Sequence, residues 1–576
     1  MDSGFKRLIL LYFMFVLVKL LLVSFIPAPS AFSDDYVYVK MAQSFYDSLT
    51  FSIHGIPTHQ YPPLYPIVLS FSYILDDMRY VYFVMKLVNV LLSSLIIFPV
   101  FLLAREFLSD KKSLLVAVLV SVLPSNFSFS GYIMAENLFY PLFMFSMYFV
   151  YKSFTGTAYL NDVFAGLFIG LTFLSRSIGI VLVPITFLLF CARLFQKRDA
   201  LLVRKILVIG LVSFLVVSPW LVRNGLLFGF TTDGILGSYA SELSDSRVGE
   251  AWSAFWPLVT WSLVYLGYIA LASGVVFFIL SFMVFKRKAN DKLFLFSLLL
   301  VISVILSVLV VANHSSSGNR DYVIYTTIFS WLTGRVMGRY IDFVLPLVLI
   351  AGFVGLQLYK KKSLIFYSLL TMLFLFFASQ IVFFPLFPVN NPSLTHFGFF
   401  VYAFDYLVYG VSTFTPVFSP VSLVFFILLF VLLPLISLII LYVLGFNLKK
   451  LFLLFLILFL SSSILVFAVN YYNSEMFWYR NEGMQLGLWI NDNVKQHSVF
   501  LFDWDDSCKI EKLGEVCVYE GFSDGSSVSV IDFWMDHDVF IGDVSNREGF
   551  DYLVTKKVLD LPIVYQRGEI YLYRVV

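Results

Sequence analysis

Long apolar runs recur along nearly the whole chain, and they decide what it can fold into. An apolar run of about 18 residues or more crosses a bilayer as a helix, because inside hydrocarbon the backbone must satisfy its own hydrogen bonds. About thirteen apolar runs are read as spans: 8–26, 81–104, 113–124, 137–151, 161–174, 177–195, 206–222, 257–285, 293–312, 341–359, 363–384, 421–444 and 451–469. Hydrophobic residues make up 60% of the chain and charged ones 13%, which a water-soluble domain could not bury. The fold class is therefore a polytopic α-helical membrane protein. Lys6 and Arg7 precede the first run as they would in a signal peptide, but the many later spans favour a retained helix ending before Pro27 and Pro29.

Basic residues set the expected orientation. Lys6/Arg7, Arg105/Lys111/Lys112, Lys152, Arg193/Lys197/Arg198/Arg204/Lys205, Lys286/Arg287/Lys288/Lys292, Lys360/Lys361/Lys362 and Lys449/Lys450 fall in alternate connections, which places them in the cytoplasm. The loops 27–80, 125–136, 175–176, 223–256, 313–340 and 385–420, and everything after 470, are then extracytoplasmic. The expected division is a membrane domain, 1–470, whose first outer loop is 27–80, and an extracytoplasmic soluble domain, 471–576. The tail is polar, and "HSVFLFD", "YLVTKK" and "IYLYRVV" read as strands, with "GMQLGLWINDNV" as a first helix, so a small α/β domain is expected. Cys508 and Cys517 lie in it and form a candidate disulfide, two free thiols being the alternative; Cys191 reads as a packing residue. Two Asn-x-Ser triplets, at Asn126 and Asn313, fall on the outer side.

Ionisable residues gather at the outer ends of the spans. Asp34 and Asp35 follow the first span, Glu136 opens "ENLFYPL", Arg176 sits in "FLSRSIG", Arg223 ends "PWLVRN" and Arg339 opens "RYIDFVLP". Any one of them alone is more often a cap or a snorkelling anchor, but six on one face point to a site, because charges at that depth are costly unless paired or wet. After Asp35, Val39, Ala42, Phe45, Tyr46 and Leu49 recur at helical spacing, so an amphipathic helix on the membrane surface is expected, with Ser33 as its N-cap. The two acids then occupy its first turn, where the helix dipole favours their charged form. A carboxylate there can cap the helix, take a proton from a hydroxyl or hold a cation. The arginines suit a phosphate, onto which a guanidinium can fork.

These segments carry a resemblance. "DDYVYVKMA" looks like the Asp-Glu-x-x-Tyr-x-x-x-Ala first-loop motif of GT-C membrane glycosyltransferases, and is most similar to the protein O-mannosyltransferase and lipid A aminoarabinose transferase (ArnT-like) relatives; Asp34, Asp35, Tyr38 and Ala42 fall in register. "YPPLYPIVLS", with Tyr61, Pro62 and Pro63, resembles their Pro-Pro-Leu element. "MAENLFYPL", "PWLVRN" and "GRYIDFVLP", with Tyr340 after Arg339, resemble later elements of the same family. The resemblance spans roughly residues 1–360. It implies a GT-C fold and a polyprenyl- or dolichyl-phosphate sugar as donor. Two departures stand out: Asp35 replaces the usual Glu, and Tyr61, after His59 and Gln60, stands where the aminoarabinose transferases carry a phosphate-binding Lys. The Trp-Trp-Asp-Tyr-Gly motif of oligosaccharyltransferase subunits is missing, which speaks against transfer of a large glycan to Asn.

The reading is an inverting glycosyltransferase that moves a sugar from a lipid phosphate to a hydroxyl of a protein, glycan or lipid at the outer membrane face. Asp34 is expected as general base, with Asp35 and Glu136 orienting it or holding the acceptor. Arg339, Arg223, Arg176 and Tyr340 are expected at the donor phosphate, and Tyr38, His59, Tyr61, Pro62 and Pro63 in the substrate loop. No cofactor is required by this chemistry, though Asp34, Asp35, Glu136 and His59 form a candidate site for Mg, Mn or Ca. Membrane lipid is an expected partner and nucleic acid is not. A transporter or flippase of lipid-linked sugars is the alternative, and a non-catalytic scaffold a weaker one.

Overall fold

The computed structural model describes residues 3–30, 32–197, 199–232, 234, 237, 251–285, 291–317, 336–358, 361–379, 389–410, 432–441, 447–494, 498–503, 517–519 and 527–575. The expected 421–444 span is described only over 432–441. The basic residues Arg198, 286–288 and Lys360, and Cys508 with the side chain of Cys517, lie outside the described residues, and so does the candidate disulfide between these two cysteines.

Among the described residues, seven helices are long and apolar enough to cross a membrane: Gly4–Ser24, Met78–Arg105, Ser177–Gln196, Ala200–Phe228, Phe255–Ala272, Asp291–Ser316 and Leu448–Tyr479. Each coincides with an expected span. Several others are shorter or broken. The expected run 113–124 is a helix, Asp110–Ser121, followed after a 71° bend by Pro124–Gly131, because Leu123 is extended before Pro124. The run 257–285 is two helices, Ala251–Ala272 and Val275–Ser281, separated at Gly274, whose φ of +75° suits glycine alone. Runs 161–174, 341–359 and 363–384 are apolar helices of fewer than 18 residues. Thr395–Tyr409 is a helix that the hydropathy pattern did not single out.

The chain divides into two compact units. One comprises Met1–Lys19, Leu92–Phe129 and Glu136–Val469; the other comprises Leu20–Leu91, Ser130–Ala135 and Asn470–Val576. In the first unit, Leu345–Leu358 packs on Val275–Ser281, with Phe277 stacked on Phe353 at 4.9 Å. A Cβ on Gly355 would lie 1.9 Å from the Leu280 carbonyl oxygen, so only glycine permits that approach. Asn126 is buried there: its Nδ2 donates to the Val120 carbonyl at 3.0 Å, and its own carbonyl accepts from the buried Lys19 Nζ at 2.9 Å. With its amide buried and bonded, Asn126 is a packing residue in this fold, a poor position for a glycan acceptor. Cys191 is half-buried and free.

The second unit holds the helix Phe32–Ser48, a hairpin of β1 (Ser52–Ile53) and β2 (Ile56–Pro57), and a six-stranded sheet. The sheet strands are β3 (Val499–Phe502), β4 (Cys517–Val518), β5 (Asp538–Ile541), β6 (Tyr552–Thr555), β7 (Ile563–Arg567) and β8 (Ile570–Arg574), in the order β4-β5-β3-β6-β8-β7. β3 runs parallel to β5 and β6; the remaining pairs are antiparallel. Leu501, Leu553 and Tyr573, buried from β3, β6 and β8, pack with Val544 and Phe550. The expected first helix is Glu482–Asn493, capped by the Asn481 side chain, which accepts from the Gly483 N–H at 2.8 Å.

The helix Phe32–Ser48 differs from expectation in two ways. It opens at Phe32, so Ser33 lies inside the first turn and is not its N-cap. It is also buried all round from Asp35 to Gln43, and only its last residues, from Tyr46 to Ser48, are exposed. Lys40 and Gln43, on the side expected to meet water, are covered by the tail. Lys40 Nζ donates to the Met535 carbonyl at 2.7 Å, and Gln43 Nε2 bonds Asp536. The helix is thus an internal element of its unit and not a ribbon lying on lipid.

Candidate active site

The acids stand in the second unit. Asp34 is half-buried and accepts a hydrogen bond from the Tyr61 hydroxyl at 2.7 Å. Tyr61 is held in place by Tyr38, one turn along the helix from Asp34, whose ring stacks on it at 4.7 Å. Tyr38 meets Tyr65 edge-on at 5.0 Å, and the Tyr65 hydroxyl donates to Asn89 Oδ1 at 2.8 Å. Pro62 and Pro63 are buried, and Pro63 caps the helix Leu64–Ser70 that carries Tyr65. The proline pair thus stiffens the segment that delivers Tyr61. His59 is half-buried two residues earlier. Asp35 is fully buried, with Tyr82 and Tyr132 near enough to feel its charge. The adjacent carboxylates therefore differ: one reaches water and the other does not.

The same unit contains a buried cluster that the sequence reading missed. Asp532 ends the short helix Ser527–Asp532 and is wholly buried. Its Oδ1 lies 2.9 Å from Lys40 Nζ, its Oδ2 lies 2.7 Å from His54 Nε2, and the Tyr36 hydroxyl donates to Oδ2. Burial alone would raise the Asp532 pKa. The charges of His54 and Lys40, with hydrogen bonds from His54 and Tyr36, outweigh it and hold the carboxyl well below the ordinary range. Burial, then the Asp532 charge, push the Tyr36 phenol well above its usual value, so it stays a donor. His54 and Gly55 both have positive φ, +47° and +79°, as a two-residue hairpin turn requires. Lys40 and Tyr36 were already in view in "DDYVYVK"; nothing in sequence tied them to a residue nearly five hundred positions away.

The first unit holds the other charges. Glu136 opens the helix Glu136–Thr155, Arg176 ends Tyr159–Ser175, and Arg339 lies in the turn Gly338–Tyr340. All three are buried. Arg176 Nη1 pairs with Glu136 Oε1, and Arg339 Nε is 3.8 Å from the same oxygen. Both guanidinium groups lie over the Tyr340 ring, at 4.4 and 5.2 Å from its centroid. The Arg339 turn is fixed through its backbone: Arg339 N–H donates to the Asn390 carbonyl at 3.0 Å, and Tyr140 OH donates to the Arg339 carbonyl at 2.8 Å. Arg223 keeps different company. It bonds Asn224 Oδ1 at 2.8 Å and lies 4.8 Å over Trp220. Among the described residues, no group of three or more His, Cys, Asp or Glu side chains is arranged to hold a metal ion. Glu136, one metal candidate, is engaged by two guanidinium groups, a poor setting for a cation ligand.

Residues 60–222 match the family model for dolichyl-phosphate-mannose-protein mannosyltransferases. No curated protein matches the chain by sequence. Among solved structures, ArnT from Cupriavidus metallidurans bound to undecaprenyl phosphate aligns over 100% of this chain and 99% of its own, with 12% identity and a TM-score of 0.59. The same enzyme in the apo state gives a TM-score of 0.53, at 12% identity and the same coverage. The chain has the GT-C fold. Within it, the family-model match contains Tyr61, Pro62, Pro63, Glu136 and Arg176. Asp34 and Asp35 precede the matched segment, and Arg223 and Arg339 follow it.

Proposed function

We propose that the protein transfers a sugar from a polyprenyl- or dolichyl-phosphate donor to a hydroxyl acceptor, with inversion, at the extracytoplasmic face. Asp34 is the general base. It takes the acceptor hydroxyl proton as that oxygen attacks the anomeric carbon; the bond from that carbon to the phosphate oxygen breaks, and the lipid phosphate leaves with the electron pair. The leaving phosphate is already a stable anion and needs no acid. Arg176 and Arg339 offset its charge, the electrostatic role with most effect in a site shielded from water. The ion pairs fit Glu136 better as the group that orients these two guanidiniums than as a partner of the base. Arg223, stacked on Trp220 apart from that pair, is assigned to the donor headgroup.

The observation that carries this reading is the contrast within the acid pair on a GT-C fold: a half-exposed Asp34 braced by Tyr61, next to a fully buried Asp35. Undecaprenyl phosphate bound to the structurally similar ArnT supports the donor class. The test is transfer from a panel of radiolabelled polyprenyl-phosphate sugars to membrane extract, with wild type beside Asp34→Asn. Transfer by wild type that is lost in the folded variant supports both donor class and base. No transfer from any donor by folded wild type would favour movement of lipid-linked sugars instead. Activity that survives exhaustive chelation would dispense with Mg, Mn or Ca; loss restored by one of them would add a metal to the mechanism.

A further inference from the structure

We infer that Asp532, in the C-terminal domain, is a positioning residue for the Asp34 carboxylate; this rests on the reading of Asp34 as the base. All the residues concerned lie in the second unit. Asp532 receives three donors: the Tyr36 hydroxyl, Lys40 Nζ at 2.9 Å and His54 Nε2 at 2.7 Å. Two belong to the helix that carries Asp34. Tyr36 and Lys40 are four residues apart and so share a helix face. That face is turned from Asp34 by roughly 200–240°, at 3.6 residues per turn. Asp532 therefore grips the helix from behind while Tyr61 engages Asp34 in front, at 2.7 Å. The third donor, His54, is at the tip of the hairpin whose chain leads on to Tyr61 through Thr58, His59 and Gln60. One carboxylate thus fixes both segments that meet at the base.

Packing alone does not call for a charge here. An apolar side chain of similar size could join these elements without taking an ion out of water. A carboxylate with three directed bonds adds something that packing does not: it fixes how far the helix is rotated about its axis. Lys40 Nζ also bonds the Met535 carbonyl at 2.7 Å, and Gln43 bonds Asp536, so the same few tail residues hold the next turn as well. A small rotation would carry Asp34 away from the acceptor oxygen while leaving donor binding intact.

The experiment compares wild type, Asp532→Asn, Tyr36→Phe and Asp34→Asn in full-length protein. It measures thermal melting and initial rates of sugar transfer to membrane extract from undecaprenyl-phosphate mannose and undecaprenyl-phosphate aminoarabinose over a range of donor concentrations. The expected result for Asp532→Asn is a kcat lower by about ten- to a hundred-fold, as misplacement by an ångström costs, with donor KM changed by less than about twofold. Tyr36→Phe, which removes one bond, should move kcat the same way by less. A folded Asp532→Asn with wild-type kcat, beside an inactive Asp34→Asn, overturns the positioning role and leaves the base standing. An active Asp34→Asn, or no turnover by wild type with either donor, overturns the base or the function and this inference with it. If Asp532→Asn does not fold, Tyr36→Phe decides: reduced kcat at unchanged KM upholds the inference, and unchanged kcat overturns it.

Discussion

Asp34 and Asp35 are neighbours in sequence with opposite surroundings, and the first predictions follow from that difference. Asp34→Asn removes the proposed base without changing shape, so kcat should fall by about a hundred- to ten-thousand-fold, read by single-turnover transfer. Tyr61→Phe removes only a neutral hydrogen bond to that carboxylate, worth about 0.5–1.5 kcal/mol, so a few-fold loss is expected from the same assay. In the first unit, Glu136→Gln strips a buried carboxylate from two guanidinium groups. Leaving buried charge without its partner costs about 3–5 kcal/mol, so this variant should melt earlier as well as bind donor more weakly. Arg176→Lys should raise donor KM even though the charge is kept, because an ammonium cannot fork onto a phosphate or lie over Tyr340 as a guanidinium does. A thermal-shift series with the donor lipid separates these two effects.

At the scale of elements, the helix Phe32–Ser48 depends on the short helix Ser527–Asp532. The Asp532 carboxyl is held below its ordinary value in the folded protein, so its contribution to stability is full above the unfolded carboxylate pKa, near 4, and is lost as pH falls through the lower folded value. Melting temperature against pH should accordingly be flat for this group down to about pH 4 and fall below it. In Asp532→Asn that part of the fall should be missing, and the whole curve should sit lower. The helix itself was legible in sequence: apolar spacing and acids in its first turn gave its place and its paired carboxylates. Its burial was not, because Lys40 and Gln43 read as a wet face until the tail that covers them is seen. In the same way, hydropathy found the run 257–285 but not its break, which depends on a single glycine at positive φ. Arg176 and Arg339 were marked by their positions at helix ends; their common partner Glu136 and the Tyr340 ring beneath them required the fold.

For the whole molecule, the telling fact is that the loop after the first span and the tail belong to one compact unit. A chain cut after Val469 keeps most of the membrane helices but loses what covers Lys40 and Gln43. Gln43, buried in the intact chain against Asp536 of the tail, offers a probe. Gln43→Cys should resist maleimide in full-length protein and react in the truncated form. The proposed orientation has a parallel test at Val558, which is 76% exposed: Val558→Cys should be labelled in intact cells by a reagent that cannot cross the membrane. Labelling only after lysis would place the tail, and Asp34 with it, on the cytoplasmic side.

The bond from Tyr36 to Asp532 joins residues 496 positions apart, and that separation has a consequence in time. A ribosome adds roughly 5–20 residues per second, so Asp532 emerges on the order of half a minute to two minutes after Tyr36. Every intervening span is threaded into the bilayer during that wait, while the loop bearing Asp34 has no C-terminal partner. If Asp532 positions Asp34 as inferred above, a chain abandoned midway would sit in the membrane with its Asp34 helix lacking the Asp532 anchor and should turn over far more slowly than the finished protein.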